Sequence, residues 1–446
     1  MAIVAALVLM LASGNAQQNA TSGKNDPVTG PNAESVGELY LEQLQQSSIS
    51  KLGSPAHQQF SNETDFTSDV DFDRLIREAA ASFNLSLGEE SEFKKRAIER
   101  RERFRNLRSR SQYEDPALYQ IIEFWSEQIR TAARQNIEPH DLLDKTHVVL
   151  GTLPTGEVNA WSIRVPSVKD TYLITFESGF FYFANLMSLA IARTLPIEQT
   201  NDGHAVLITD PVKVLDNVRQ HRELQEAFLQ VILAYLVEGR FDTLPASYYR
   251  TGEPTRDAVA TKLYKGIGLF VLGHEYGHIL RGDLAGAGVA SVIGGQKVQK
   301  IPHEWEQELG ADALGIELAY FAMRASKDNL AAIIVGADFF LHCYEIVEHA
   351  GSLIATGGVH PGLAGGNHPP TESRRAWIRQ ILHAFLRRFQ ANQVSESDWN
   401  AALNEASRFD QIMDQLFVAD EITLKRLHDR KIGLAPSWRQ RFSESQ

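Results

Sequence analysis

At 446 residues, 43% of them hydrophobic, the chain is long enough for two or more domains and apolar enough for a sizeable core. A formal net charge of −12 argues against general affinity for nucleic acid. The single cysteine, Cys343, excludes an internal disulfide, and it is expected to lie buried in the helix around it.

The chain opens on eleven apolar residues, 2–12, followed by Ser13-Gly14-Asn15-Ala16. The run is too short to span a bilayer and has the length of a signal-peptide core, so residues 1–16 are expected to be a signal peptide cut after Ala16. Export to a periplasm or secretion follows from that expectation. The absence of Lys and Arg before the run leaves a cytoplasmic chain as the alternative. Residues 17–70 are rich in Gln, Ser, Asn, Gly and Thr without sustained periodicity and read as a disordered linker.

Residues 71–145 form a helical region with a helix start at Asp115-Pro116, where aspartate caps and proline occupies the first turn. Its basic stretch, from Lys94 through Arg110, reads as a solvated helix balanced by Glu92, Glu99 and Glu102, with a patch for anionic lipid or an acidic partner as the alternative. His147 to Thr175 alternates as two strands joined by a turn. Phe180 to Ala192 is a buried helix rather than a membrane span, because Glu177 and Asn185 interrupt its apolar character. Further helices are expected over 220–238 and 257–281.

The second of these carries His274-Glu275-Tyr276-Gly277-His278. Helical positions four apart share a face, so His274 and His278 can hold one metal ion while Glu275 stands beside it. In this H-E-x-x-H pattern two imidazoles bind Zn²⁺ and the glutamate serves as base towards a water. A catalytic zinc takes three protein ligands and keeps one position open. A third histidine at the spacing H-E-x-x-H-x-x-G-x-x-H is excluded, because Arg281 and Leu284 stand where glycine and histidine belong. A glutamate on a later helix is the other route. Glu308 and Asp312, four apart on the run Glu304 to Ala319, supply a ligand and a partner for the far ring nitrogen of a ligand histidine. Glu304 is the rival ligand. Gly310 and Ala311 suit a close approach of the two helices.

Between the two helices, Leu284 to Gly295 is rich in Gly and Ala, with no continuing helix expected; it reads either as a flap over the site or as a plain surface connection. Ala331 to Leu353 is a long apolar helix. His342, Glu345 and His349 on it read as satisfied core or rim groups, a second metal site being the less favoured reading. Amphipathic patterns continue from about 374 to the end, with 386–446 a C-terminal helical region.

With both metal-bearing helices read, the chain resembles the gluzincin zinc endopeptidases related to the prenyl-protein endoprotease and the heat-shock protease HtpX. That group reads H-E-x-G-H followed by E-x-x-A-D, matched here by 274–278 and by Glu308-Leu309-Gly310-Ala311-Asp312. Val158-Asn159-Ala160-Trp161 with Tyr172 to Thr175 and Ser178-Gly179-Phe180 is similar to the family's strand pair and following glycine. Asn367-His368-Pro369-Pro370 through Arg374-Arg375 is similar to its His-Pro segment. The chain departs from the best-known members by lacking long membrane helices.

The resemblance, covering 146–385, implies an α+β, predominantly helical fold: a zincin-like catalytic domain with a small edge sheet packed on the H-E-x-x-H helix. It also implies one Zn²⁺ on His274, His278 and Glu308, with Asp312 behind a histidine. Glu275 is then the general base in endopeptidase chemistry, and His368, Arg374 and Arg375 are candidates at the oxyanion or substrate. The expected partner is a protein or peptide, with no nucleic acid and no integral membrane span. An aminopeptidase and a metal-stabilised, chaperone-like binding protein are the alternatives.

Overall fold

The computed structural model describes residues 33–52, 111–137 except 112, 143–199 except 167, 205–285, 289–293, 296–300, 304–325, 330–359, 369–389 and 395–443, with isolated helical positions between 91 and 98. The fold is predominantly helical with a small sheet. The expected signal peptide, most of the basic stretch and His368 lie outside the described residues; Lys94 and Lys95 within that stretch are exposed.

Helix α1 spans Ala33–Leu52, inside the segment expected to be a disordered linker. Its weak pattern hides a specific contact: Leu41, Leu44, Gln45 and Ser48 are buried at helical spacing. Gln45 Nε2 donates to Glu114 Oε2 at 2.9 Å and to the Thr152 carbonyl at 2.8 Å. Long-range partners therefore hold a helix that local sequence does not announce. Helix α2, Pro116–Asn136, begins as expected: Asp115 accepts from the Ala117 and Leu118 amides, and proline takes the first position, where its missing donor costs nothing.

Three strands follow where two were expected: β1, His147–Leu153, β2, Ala160–Arg164, and β3, Thr171–Glu177. Their order is β1-β3-β2, with β1 parallel to β3 and β2 antiparallel to it, pairing Ala160 with Phe176 and Arg164 with Tyr172. Strand alternation sends side chains to two faces. Val149, Leu153, Ile163, Val165 and Leu173 pack under α1, while Val148, Leu150, Ala160, Ile174 and Phe176 join the main helical core. A side chain at Gly37 or Gly151 would overlap Val149 or Leu41, so both glycines let α1 lie close on the sheet.

Helix α3, Ser178–Thr194, is buried along most of its length. A short hairpin of β4, Ile197–Gln199, and β5, Ala205–Leu207, leads to α4, Pro211–Gln220, and α5, Arg222–Leu233, which runs into a π-helical turn, Ala234–Glu238. Helix α6, Pro254–Arg281, is the spine of the molecule, capped by Glu253 at its start and closed by Gly282 in the left-handed region at φ 73°. The connection expected to lack helix carries a hairpin instead, β6, Val289–Ile293, with β7, Gln296–Lys300. Helices α7, Trp305–Ala325, α8, Leu330–Thr356, α9, Thr371–Phe389, α10, Glu396–Asp429, and α11, Pro436–Ser443, complete the chain. Trp399, Phe409, Leu416 and Trp438 belong to the same core as Trp125 and Phe270, so 386–446 is continuous with the helices before it. Among the described residues no helix is long and apolar enough to cross a membrane.

Candidate metal centre

Two helices meet at the site because their facing positions carry almost no side chain. A Cβ on Gly273 would lie 2.9 Å from the Gly315 carbonyl oxygen, and one on Gly277 would lie 3.0 Å from Cα of Ala311. Backbone meets backbone along α6 and α7, a distance only glycine and alanine permit. That approach brings Glu308 of α7 beside His274 and His278 of α6, all three buried.

The two imidazole Nε2 atoms face each other at 3.1 Å, with the rings near perpendicular. Glu308 completes the triangle, with Oε2 3.5 Å from His274 Nε2 and Oε1 3.6 Å from His278 Nε2. Among the described residues these three form the group able to hold a metal ion. A tetrahedral ion with bonds of about 2.0–2.1 Å separates its donors by about 3.3–3.4 Å, close to the observed triangle.

The orientation of the rings gives a second test of fit. His274 Nδ1 lies 2.9 Å from Asp312 Oδ1, and His278 Nδ1 lies 3.1 Å from Asp283 Oδ2. Each aspartate holds the proton on Nδ1, which leaves an Nε2 lone pair directed at the other ring and at a carboxylate. Three electron-rich donors converging in a buried space call for a positive charge among them. The titration of His274 expresses the same demand: burial pulls it down, yet Asp312 and Glu308 push it up to about 10.

Asp312 is itself held. Arg374 donates Nε to Oδ2 at 2.9 Å and Nη2 to Oδ1 at 2.6 Å. Burial works against the Asp312 charge, but Arg374 and His274 hold its carboxyl down at about 2. Arg374 thus braces His274 through Asp312, a contact that sequence reading did not give it. Arg375 points elsewhere. It bonds Glu345 and Asp410 at 2.6 Å, and lies 3.4 Å from Asp338, tying α9 to α8 and α10. Neighbouring helical residues diverge by about 100°, so the two arginines cannot serve one site.

Glu275, next in sequence to His274, is buried. Glu304 is exposed, and its backbone amide donates to Gln307 Oε1 at the start of α7, so Glu308 is the carboxylate within reach. The residues considered for a second metal are satisfied otherwise. His342 sits between Asp410 and Asp414 at 2.9 Å each, Glu345 bonds Arg375, and His349 lies beside the Phe417 ring. Asp283 escaped sequence reading, although Gly282 just before it is the residue that turns a chain back at a helix end. The chain matches no protein-family model, and no curated protein or solved structure matches it.

Proposed function

We propose that this chain is a zinc-dependent endopeptidase of the gluzincin type, as its sequence motifs imply. The observation that carries the reading is the convergence of His274, His278 and Glu308 with Glu275 beside them and an aspartate behind each histidine. Structural zinc sites close their coordination with four protein ligands and favour cysteine; this donor set has three and no thiolate. Zn²⁺ held there would supply the Lewis acidity that acidifies water and polarises a carbonyl oxygen.

The chain's own residues do the rest. Glu275 takes the proton of the attacking water and returns it to the leaving amine. Asp312 and Asp283 keep both imidazoles in the tautomer that presents Nε2 to the ion. Strand β2 lies at the sheet edge and packs along α6; beyond β3 no described strand pairs with it, so its outer edge can pair with an extended substrate backbone. Main-chain pairing selects for extended or unfolded protein more than for a particular side chain. His368, on the strength of the resemblance alone, is the proposed donor to the developing oxyanion.

The test is digestion of casein and of an internally labelled peptide blocked at both ends. The wild-type chain is expected to cleave both, a chelator to stop it, and Glu275→Gln to lower kcat by about 10²–10⁴-fold while zinc stays bound. Undiminished proteolysis by Glu275→Gln refutes the mechanism. Cleavage confined to substrates with free amino termini indicates an aminopeptidase, and zinc binding with no cleavage indicates a binding protein.

A further inference from the structure

The metal centre is braced by two arms of the same composition: each histidine is held by an aspartate, and each aspartate by an arginine. The inner arm, Arg374–Asp312–His274, is bidentate and deep, with the arginine side chain 15% exposed and the aspartate fully buried. The outer arm is local to the end of α6. Asp283 Oδ2 receives His278 Nδ1 at 3.1 Å and Arg281 Nε at 3.2 Å, and the Arg281 side chain is 34% exposed. Gly282, left-handed at φ 73°, supplies the turn that brings Asp283 back under His278.

The position of Arg281 depends on the facing helix. A Cβ at Gly310, midway between Glu308 and Asp312, would overlap the Arg281 guanidinium. The guanidinium therefore lies across bare backbone of α7 while it reaches Asp283. Resting on the reading of His274, His278 and Glu308 as a zinc site, we propose that Arg281, Asp283 and Gly310 form a second positioning arm that sets how tightly His278 holds the ion. Asp283 fixes the ring, Arg281 fixes Asp283, and Gly310 makes room for Arg281. None of the three belongs to the group that would hold the ion.

The experiment measures Zn²⁺ affinity and release rate of the full chain against a chromophoric chelator, beside the thermal stability of the metal-free protein. Asp283→Asn is expected to weaken zinc by about 10- to 100-fold and to speed release. Arg281→Met and Gly310→Ala are each expected to weaken it by about two- to five-fold, as befits a partly exposed ion pair. Alanine is the better helix former, so Gly310→Ala leaves the metal-free fold as stable as wild type or more so, which separates this loss from general damage. Because Gly310 acts through Arg281, the double variant Arg281→Met/Gly310→Ala shows no further loss than Arg281→Met alone. Wild-type affinity in Asp283→Asn, or additive losses in the double variant, overturns the proposal while leaving the zinc site standing. Failure of the wild-type chain to bind Zn²⁺ overturns both.

Discussion

Gly315 lies at the close approach of α6 and α7, and replacing it by alanine tests that packing directly. The new Cβ would sit 2.9 Å from the His274 amide nitrogen and 3.1 Å from both His274 Cα and the Phe270 carbonyl oxygen. All three are backbone atoms, so no side chain can swing aside and the helices must part by a few tenths of an ångström. Overpacking of this kind costs about 1–3 kcal/mol, whereas removing a glycine from a helix returns about 0.5–1 kcal/mol. The net expectation is a loss of about 1 kcal/mol in metal-free protein, read as a lower urea midpoint at unchanged slope. The same displacement pulls Glu308 from its 3.5 Å separation from His274, so zinc affinity falls by about tenfold. Increased stability of Gly315→Ala with wild-type zinc affinity would refute the close-approach argument, since that is how an uncrowded helical glycine behaves.

Other expectations separate named residues. Glu308→Ala lowers zinc affinity by more than the roughly 10- to 100-fold expected of an outer partner, while Glu304→Ala leaves it unchanged; metal competition on both variants decides, and the reverse order transfers the ligand role to Glu304. Glu177, buried at the end of β3 with Trp161 Nε1 donating to Oε1 at 3.1 Å, is pushed up to about 8 by burial. An acid whose folded value is raised binds its proton in the folded state, so this contribution is fully present below about pH 4.5 and is lost as pH rises towards 8. The upper bound of that loss is about 3–5 kcal/mol. Urea titrations between pH 5 and 8 should therefore be flatter for Glu177→Gln than for wild type, and parallel curves would contradict the assignment.

The two helices that carry the His-His-Glu group were legible because their motifs are local. Four-residue spacing alone puts His274 with His278 and Glu308 with Asp312 on common faces, and Asp115-Pro116 announces a helix start without any tertiary information. Relations that depend on distant partners were not legible. Helix α1 is held by two leucines and Gln45 through Val149, Glu114 and Thr152, which composition cannot reveal. Alternation identifies strands but not that β1 runs parallel to β3, since pairing is a long-range choice. The hairpin of β6 and β7 was not legible, because neither Val289–Ile293 nor Gln296–Lys300 alternates in polarity. Which of Arg374 and Arg375 would reach the site was undecidable from their adjacency, and the packing of α9 between α7 and α8 decided it.

X-ray absorption at the zinc edge of the full-length chain loaded with one equivalent of Zn²⁺ tests the central claim most directly. The account predicts a first shell of nitrogen and oxygen at about 2.0–2.1 Å, with the outer-shell signature of two imidazoles and no sulfur. A shell with fewer than two imidazoles, or a chain that takes up no zinc, would contradict it.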